Sequence, residues 1–408
     1  MLFWSSLRSR IFRRSFSISV SATTARLLLL LTLAVPALSA QNQQARHHRR
    51  IQRLPVTRFY DDPQPMPPGK PGGLIRVEPT DDYDLAADFS ALRILYHSRD
   101  AGGRDVAVSA VVLVPDGRPP AGGWPVLAWA HGFSAAARQC APSLLRNLYY
   151  GPLLSMYVHL GYAVVATDYA GLGTQSRSAV MDIPSNAADV VNSIPAARAA
   201  APQVGARWIA IGSSLGANVA VGVAEMEGKL RDPNYLGSIA ISGLVDAMSE
   251  DRSKDLPFRT FALLAYGIKT VYPDFDPNDM LAKDAVPAYQ QVVDSCDSLS
   301  SSSQSAEIEM LNPKWRSNRF VEQFFTRNTL GETPAYGPLL VIADDQDPAV
   351  PSSLAAQVVA RMCRQGDAVQ FEMFSDPQPG LVLGDSVRDQ MVWIQARLAG
   401  RPASKNCR

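Results

Sequence analysis

Short apolar segments separated by turn residues recur along this chain from about residue 90 to residue 375. Apolar runs of this length predict buried strands, and the longer periodic segments between them predict helices. An early antiparallel hairpin, followed by strands that alternate with helices, indicates an α/β protein with a mostly parallel sheet covered on both faces. The predicted strands are 92–97, 106–114, 125–130, 163–167, 207–212, 237–242, 339–343 and 369–374, and the predicted helices are 144–160, 186–200 and 214–225.

The alternation of strands and helices stops between residues 246 and 333. We predict that this interval is an inserted, mainly helical cap between two parts of the core, residues 81–245 and 334–408. The interval holds a serine run at 300–303 and several aromatic residues that either line a ligand pocket or form the cap's own core. These aromatic residues are Phe258, Phe261, Tyr266, Tyr272 and Phe275.

The first 80 residues differ in composition from the rest. Basic residues at 8–14, an apolar run at 27–34 and small residues before position 41 predict an export signal over 1–40. A membrane anchor is the alternative, but a span needs about 20 apolar residues and this run is shorter. Residues 41–80 are basic and rich in proline and glycine, which predicts a linker. We therefore expect an exported protein, periplasmic or extracellular.

The charge distribution excludes one class of partner. The chain has 39 basic and 38 acidic residues, but residues 1–58 carry ten arginines and no acid. The remainder therefore has 29 basic against 38 acidic residues, so we expect no nucleic-acid partner. The pair His47-His48 lies in the basic arm without a carboxylate partner, which favours solvated side chains over a metal site. The sequence does not indicate an oligomeric state.

The chain contains four cysteines, Cys140, Cys296, Cys363 and Cys407. An even number in an exported chain predicts two disulfides, for which three pairings exist. We favour Cys140 with Cys296 and Cys363 with Cys407, because the second pair would hold the C-terminal end. The spacings do not resemble those of a zinc site, so no metal is expected.

Gly212-Ser213-Ser214-Leu215-Gly216 reads G-x-S-x-G and lies where a strand is followed by a helix. This context predicts a nucleophile elbow with Ser214 at its tip; a structural turn serine is the alternative. The motif alone is weak, since roughly one random chain in ten of this length contains it. Further motifs accompany it: His131-Gly132, Cys140-Ala141-Pro142-Ser143, Asp168-Tyr169-Ala170-Gly171-Leu172-Gly173, Asp189-Val190-Val191-Asn192 and Asp347-Pro348-Ala349-Val350-Pro351.

In these motifs, spread over residues 90–400, the chain resembles the secretory lipase family, α/β-hydrolases of the lipase A type. The resemblance implies an α/β-hydrolase fold and hydrolysis of carboxylic esters of acyl chains. Ser214 would attack the ester carbonyl and form an acyl-enzyme. The backbone N–H groups of Leu215 and Phe133 would bind the oxyanion.

The same resemblance assigns the triad acid to Asp347, through its D-x-x-V-P spacing. Asp344 and Asp345 are rivals that lie nearer the strand, and a loop-capping role for Asp347 is the alternative. An acyl ester or lipid is the expected substrate, and the cap is a candidate for contact with a lipid interface. No metal or organic cofactor is implied.

One departure from the family pattern affects catalysis directly. The family's histidine follows the last strand, but no histidine follows His159, and Pro379 occupies the expected place. Ser214 then lacks a general base, and the equivalent loss in subtilisin lowers kcat about a millionfold. His131 and Asp376 are the candidate substitutes, each poorly suited. Two hypotheses follow: an ester hydrolase that uses an unusual base, or a catalytically inactive relative that binds acyl ligands or a partner.

Overall fold

Nine strands form one sheet in a computed structural model of the protein. The described residues are 52–244, 256–296, 310–347, 350–375 and 382–407. Several sequence-based predictions lie outside these residues: the export signal at 1–40, the first part of the linker at 41–51, the cap start at 246, the serine run at 300–303, Asp376 and Pro379.

The strands are β1 (Leu74–Thr80), β2 (Phe89–Arg99), β3 (Asp105–Pro115), β4 (Trp124–Ala130), β5 (Ala163–Thr167), β6 (Val204–Ser213), β7 (Tyr235–Ile241), β8 (Leu339–Asp344) and β9 (Val369–Phe374). Their order in the sheet is β1-β2-β3-β5-β4-β6-β7-β8-β9. The pairs β1–β2, β2–β3 and β3–β5 are antiparallel, and all later pairs are parallel. The predicted hairpin and the mostly parallel sheet are confirmed.

The helices of the described residues are α1 (Gly151–His159), α2 (Ile183–Ala200), α3 (Leu215–Leu230), α4 (Phe258–Val271), α5 (Val286–Asp294), α6 (Arg319–Arg327), α7 (Ser352–Arg364), α8 (Val382–Asp385) and α9 (Val387–Leu398). Short 3-10 turns connect several of them.

Helices cover both faces of the sheet because its strands present apolar side chains on both sides. In β4, Val126 and Ala128 pack with α2, α3 and α7 in one apolar cluster. Leu127 and Trp129, which point the other way along the same strand, pack with α1 and α9 in a second cluster. The double cover predicted from the continuous apolar runs is therefore present.

The helix predicted over 144–160 begins later, at Gly151. Leu148 and Tyr149 have φ values of 50° and 68°, in the left-handed region that an α-helix cannot include. Pro152 lies in the first turn of α1, where its missing N–H costs no hydrogen bond. The start of the helix is thus set by backbone geometry that apolar periodicity does not reveal.

The linker prediction for residues 41–80 is wrong over its last part. Leu74–Thr80 forms β1, an edge strand that pairs with β2. Pro79 is tolerated there because an edge strand has one unpaired side. Tyr60 is also buried, at 1% exposure, and Arg76 donates a hydrogen bond of 2.6 Å from Nη1 to the carbonyl oxygen of Phe59. This part of the chain therefore packs on the core.

Residues 256–296 and 310–333, which we call the cap segment, lie between β7 and β8 and are mainly helical, with α4, α5 and α6. They have their own apolar cluster, in which Phe261 and Phe275 are fully buried together with Trp315 and Phe324. For Phe258, Phe261 and Phe275 the alternative of a cap core is therefore correct. The limits of the cap as a domain remain a prediction.

Two disulfides join distant parts of the chain, and they are the pairs favoured on sequence grounds. Cys140–Cys296 links the loop after β4 to the cap segment, and Cys363–Cys407 links α7 to the C-terminal tail. Among the described residues, no group of histidine, cysteine and acidic side chains is arranged to hold a metal ion. In the same residues we find no helix with the length and apolar character that a membrane span requires.

Candidate functional site

Ser214 lies in a sharp turn between β6 and α3, and it is exposed. Its φ of 57° and ψ of −124° are an unfavourable combination for a residue with a side chain. The flanking glycines make the turn possible: a Cβ on Gly212 would collide with the carbonyl of Gly216, and a Cβ on Gly216 with the carbonyl of Ala130. Strain at an exposed serine is the geometry expected of a nucleophile elbow.

The turn His131-Gly132-Phe133 lies beside Ser214. A Cβ placed on Gly132 would be 3.3 Å from the Ser214 Cβ and 2.6 Å from the Tyr150 hydroxyl oxygen, so only glycine fits. Leu215 is the first residue of α3, where the N–H has no partner within the helix. Within the described residues, neither the Leu215 N–H nor the Phe133 N–H donates to a protein acceptor. Both groups are therefore available to a ligand.

His131 holds this turn in place. Its Nδ1 lies 2.6 Å from the Gly132 carbonyl oxygen and its Nε2 lies 3.2 Å from the Asp168 carbonyl oxygen. The ring stacks on Tyr169 at 4.2 Å, and the Tyr169 hydroxyl donates to the His131 carbonyl at 3.0 Å. Burial lowers the pKa of His131 to about 4. Both ring nitrogens face backbone carbonyls, and no hydrogen bond joins His131 to Ser214, both of which are described residues.

Asp347 follows β8 and is bound to the end of the neighbouring strand β7. Its Oδ2 accepts a hydrogen bond of 2.8 Å from the Ser242 hydroxyl, and its Oδ1 accepts one of 3.1 Å from the Val350 N–H. The Ser214 N–H donates to the Ile241 carbonyl at 3.0 Å. Ser214 and Asp347 are thus hydrogen-bonded to the consecutive residues Ile241 and Ser242.

The two rival acids have other roles in the loop. Asp344 is buried at the end of β8, where its Oδ1 accepts from the Gln346 N–H at 3.0 Å. Asp345 is exposed and accepts from the Ser375 hydroxyl at 2.7 Å, which contributes most to lowering its pKa. Asp347 is bound to the end of β7 through the Ser242 hydroxyl. Within the described residues, Asp344 and Asp345 have no such hydrogen bond.

The motifs around Cys140 and Asp168 bind each other next to the turn His131-Gly132-Phe133. The buried Asp168 carboxylate accepts hydrogen bonds from the Ser109 hydroxyl at 2.6 Å, the Ser143 hydroxyl at 2.5 Å and the Ser143 N–H at 2.8 Å. Burial raises the pKa of Asp168 to about 6. The hydroxyls of Tyr60 and Tyr83 donate to the Ser143 carbonyl. Asp168 is therefore enclosed by these groups and serves to position the loop.

Asp189 supports the same loop from α2. Its carboxylate accepts a hydrogen bond of 2.5 Å from the Ser98 hydroxyl and one of 2.8 Å from the Ala170 N–H. Burial raises the pKa of Asp189 to about 7. The motif beginning at Asp189 therefore fixes the backbone that follows Tyr169.

We find no protein-family model and no curated protein that matches this chain. Solved structures with a similar fold exist. Candida antarctica lipase A in its closed state has a TM-score of 0.75 and 17% identity, with 86% of this chain and 89% of that chain covered. The ligand-bound rice cell wall degrading esterase LipA from Xanthomonas oryzae has a TM-score of 0.65 and 18% identity, with 82% of this chain and 100% of that chain covered. The chain has the α/β-hydrolase fold.

Sites in α/β-hydrolases and other open parallel sheets gather beyond the carboxyl ends of the strands. In this chain His131 directly follows β4, Ser214 follows β6, Ser242 follows β7 and Asp347 lies three residues beyond β8. Sequence reasoning did not identify Ser242. A serine at the end of the predicted strand 237–242 was visible, but its bond to Asp347 joins residues 105 positions apart, which no local pattern reveals.

Proposed function

We propose that this protein is built as a serine ester hydrolase for acyl esters, with Ser214 as the nucleophile and Asp347 as the triad acid. The observation that carries the proposal is the exposed, strained Ser214 next to two backbone N–H groups that have no acceptor within the described residues. The hydrogen bonds of Ser214 to Ile241 and of Asp347 to Ser242, two consecutive residues at the end of β7, support the pairing of Ser214 with Asp347.

In this proposal the Ser214 hydroxyl oxygen attacks the ester carbonyl carbon and the carbonyl oxygen becomes an oxyanion. The N–H groups of Leu215 and Phe133 donate to that oxyanion, a contribution of about 3–4 kcal/mol per donor in other enzymes. The alcohol leaves with a proton, and the acyl group remains on Ser214. Attack by water then releases the carboxylic acid and restores the hydroxyl.

The proton transfers need a general base that this chain does not supply in the expected place. We propose that Pro379 stands where the triad histidine belongs, which leaves Asp347 without an imidazole to orient. His131 is no substitute, because both of its ring nitrogens face backbone carbonyls and burial lowers its pKa. The sequence as it stands is therefore expected to hydrolyse esters very slowly.

The missing base favours a second candidate function. The chain has five histidines and none after His159, while Ser214 and the oxyanion turn are intact. A protein with this site and no base would bind acyl ligands, or a partner, through the same pocket without turning them over.

We further propose that the protein is exported and meets acyl esters or lipids there. The predicted signal at 1–40 and the two disulfides support export, since disulfides persist in oxidising compartments. The cap segment is the proposed surface of contact with a lipid interface.

The test is hydrolysis of p-nitrophenyl butyrate and octanoate by four purified proteins: the parent, Ser214→Ala, Pro379→His, and the double variant. We expect the parent to hydrolyse these esters very slowly and Pro379→His to raise the hydrolysis rate at least 100-fold. In the double variant, Ser214→Ala should remove that increase. Turnover by the parent that Ser214→Ala abolishes would show that another base acts. Activity that survives Ser214→Ala would contradict the assignment of the nucleophile.

If Pro379→His does not raise the hydrolysis rate, a binding measurement with the parent distinguishes the two candidate functions. A folded parent that binds an octanoyl ester in competition with a serine-directed boronic acid would support the inactive acyl-binding protein. A parent that binds neither compound would argue against both functions.

A further inference from the structure

A cavity of about 610 Å³ lies between the cap segment and the loops that follow β4 and β5. Its walls come from residues 136–139 and 174–177 on the core side, and from α4 and α5 on the cap side. Ser214 and Leu215 are not among its lining residues.

The two sides of the cavity are joined by contacts that do not depend on a ligand. The Gln139 side-chain amide donates to the Asp294 carbonyl at 3.0 Å, across the cavity wall. The next residue after Gln139 is Cys140, whose disulfide to Cys296 also joins the loop after β4 to the cap segment. Because a disulfide and a hydrogen bond join the two sides without a ligand, less conformational freedom is lost on binding, which lowers its entropic cost.

Most charged groups at the cavity already have partners. Arg138 donates from Nε to the Gly173 carbonyl at 2.6 Å and from Nη2 to the Asp61 carboxylate at 2.8 Å. The Asp294 carboxylate accepts from the Gln290 amide at 2.9 Å. These groups stabilise the walls, and among the described residues that line the cavity Arg177 is the cation left for a ligand.

Arg177 has no hydrogen-bond acceptor or ion-pair partner within the described residues. Its guanidinium lies 5.1 Å from the centre of the Tyr266 ring, an arrangement that holds the cation in place. Tyr266 and Tyr289 also line the cavity, and in the described part of the chain neither hydroxyl makes a hydrogen bond. Within the described residues, one guanidinium and two phenols without hydrogen-bond acceptors therefore belong to residues that line the same cavity.

We propose that this cavity binds the carboxylate of a small organic acid. The planar guanidinium of Arg177 matches two carboxylate oxygens, and the phenol hydroxyls can donate to the same oxygens. Ala136 and Val293, which also line the cavity, provide apolar contact for a short hydrocarbon body. The exposed Asp294 carboxylate limits how much negative charge the cavity accepts, which favours a monoanion.

The carboxylate has two chemical sources. It is either a free acid, as released by ester hydrolysis, or an unreacted carboxylate on an ester substrate. The second source rests on the proposed function, whereas binding of a free acid does not depend on a working triad.

The test is isothermal titration calorimetry of the full chain with hexanoate and with hexanamide, its uncharged analogue. We expect hexanoate to bind at least tenfold more tightly than hexanamide. Arg177→Gln should weaken hexanoate binding at least tenfold, Arg177→Lys less, and the double variant Tyr266→Phe/Tyr289→Phe about fivefold. Arg118→Gln, which removes an equal charge from an exposed loop outside the cavity, should change nothing.

No measurable hexanoate binding, equal affinity for hexanoate and hexanamide, or equal loss in Arg177→Gln and Arg118→Gln would overturn the proposal. Arg177 is exposed, so its variants should fold; melting curves of Arg177→Lys and Arg177→Gln check this. These readouts need no turnover, so an inert Pro379→His variant would count against the proposed function alone.

Two esters distinguish the sources on the Ser214→Ala protein. If monomethyl adipate competes with hexanoate and binds tenfold more tightly than methyl hexanoate, the carboxylate belongs to the substrate. If methyl hexanoate and hexanoate bind at the same time, the cavity takes the free acid.

Discussion

The Ser242 hydroxyl donates a hydrogen bond of 2.8 Å to the Asp347 carboxylate. This bond crosses from the end of β7 to the loop after β8, and Ile241, next to Ser242, accepts the N–H of Ser214. Ser242 has a φ of 46°, so its backbone conformation is itself an uncommon one for a residue other than glycine. Ser242 thereby fixes the acid relative to the nucleophile in the proposed site.

From this bond we predict that Ser242→Ala lowers kcat about tenfold in the Pro379→His protein. Asp347 would lose a charge-assisted hydrogen bond, worth about 1.5–3 kcal/mol, that holds its carboxylate in place. The measurement is p-nitrophenyl butyrate hydrolysis at saturating substrate, with KM expected to stay nearly constant.

The matched control is Ser90→Ala, which removes a similar serine-to-aspartate bond of 3.2 Å to Asp116 at an exposed site. Equal kcat values for Ser242→Ala and Ser90→Ala would show that Ser242 does not position the acid.

The sequence predicted most of the sheet but not its first edge. Strands β2 to β8 contain apolar runs with few interruptions, so burial on both faces was visible locally. In β9 the first four residues alternate between apolar and polar, and the strand is mostly only partly buried. β1 was missed because Pro79 and the proline-rich stretch before it are typical of loops, and only its pairing with β2 makes it a strand. The late start of α1 was missed because Leu148 and Tyr149 have a left-handed backbone conformation that their residue types do not indicate.

In the candidate site, residues at strand ends could be predicted and contacts between distant residues could not. Ser214 and His131 were found because their motifs directly follow apolar runs. The roles of Ser143 and Asp168 as partners, and of Ser242 as the support of Asp347, depend on hydrogen bonds between loops far apart in sequence. The place of Pro379 remains a prediction from the count along the chain.

We predict that the His131 imidazole stays neutral until the pH falls to about 4. Burial lowers its folded-state pKa to about 4 from an ordinary value of 6.5. The unfolded chain then binds more protons between these values, so about 3 kcal/mol of stability, present above pH 6.5, is lost as the pH falls toward 4.

Long-range ¹H–¹⁵N NMR of the imidazole, assigned with a His131→Asn variant, measures this directly. Total stability is a poorer readout, because the raised pKa values of Asp168 and Asp189 act in the opposite direction over a similar pH range. A midpoint near 6.5 for His131 would contradict the prediction and reopen its role as a base.

Gly216→Ala should destabilise the fold by about 3 kcal/mol or more. The added methyl group would collide with the backbone carbonyl of Ala130 and lie 2.8 Å from that of His131, and neither can move without shifting the turn His131-Gly132-Phe133. Urea denaturation measures the loss. In the part of the chain that the structure describes, a Cβ on Gly384 of α8 would meet no atom within 4 Å, so Gly384→Ala should be neutral or slightly stabilising. Similar losses in both variants would contradict the steric explanation.

The ion pair between Arg327 and Asp182 should be a main attachment of the cap segment to the core. Arg327 of α6 donates to the fully buried Asp182 carboxylate at 2.7 and 3.1 Å, at the start of α2. Arg327→Gln would leave that carboxylate poorly compensated, and we expect a loss of about 2 kcal/mol in urea denaturation, reduced by the partial exposure of Arg327.

The control for this prediction is Arg104→Gln, since the Arg104–Asp100 pair is exposed and should contribute less than about 0.5 kcal/mol. A loss in Arg327→Gln no larger than that of Arg104→Gln would mean that the cap segment is held mainly by apolar packing.

The C-terminal tail covers the free edge of β9, and we predict that releasing it promotes self-association. The Asn406 side chain binds both the N–H and the carbonyl of Phe371 at 2.7 Å, and its own N–H donates to the Val369 carbonyl at 3.2 Å. Asn406 thus occupies hydrogen-bonding groups that an uncovered edge strand would offer to another chain. The adjacent Cys407 is tied to Cys363, which keeps Asn406 in position.

The variant Cys363→Ser/Cys407→Ser should therefore form larger species than the parent in size-exclusion chromatography with light scattering. It should also lose about 4 kcal/mol of stability in the chain-entropy model, given a separation of 44 residues. Cys140→Ser/Cys296→Ser removes the other disulfide without touching β9, so it should lose stability but keep the parent's size. If both variants self-associate equally, general destabilisation is the cause and the prediction is wrong. If only Cys363→Ser/Cys407→Ser self-associates, Asn406 and its disulfide protect the edge of the sheet.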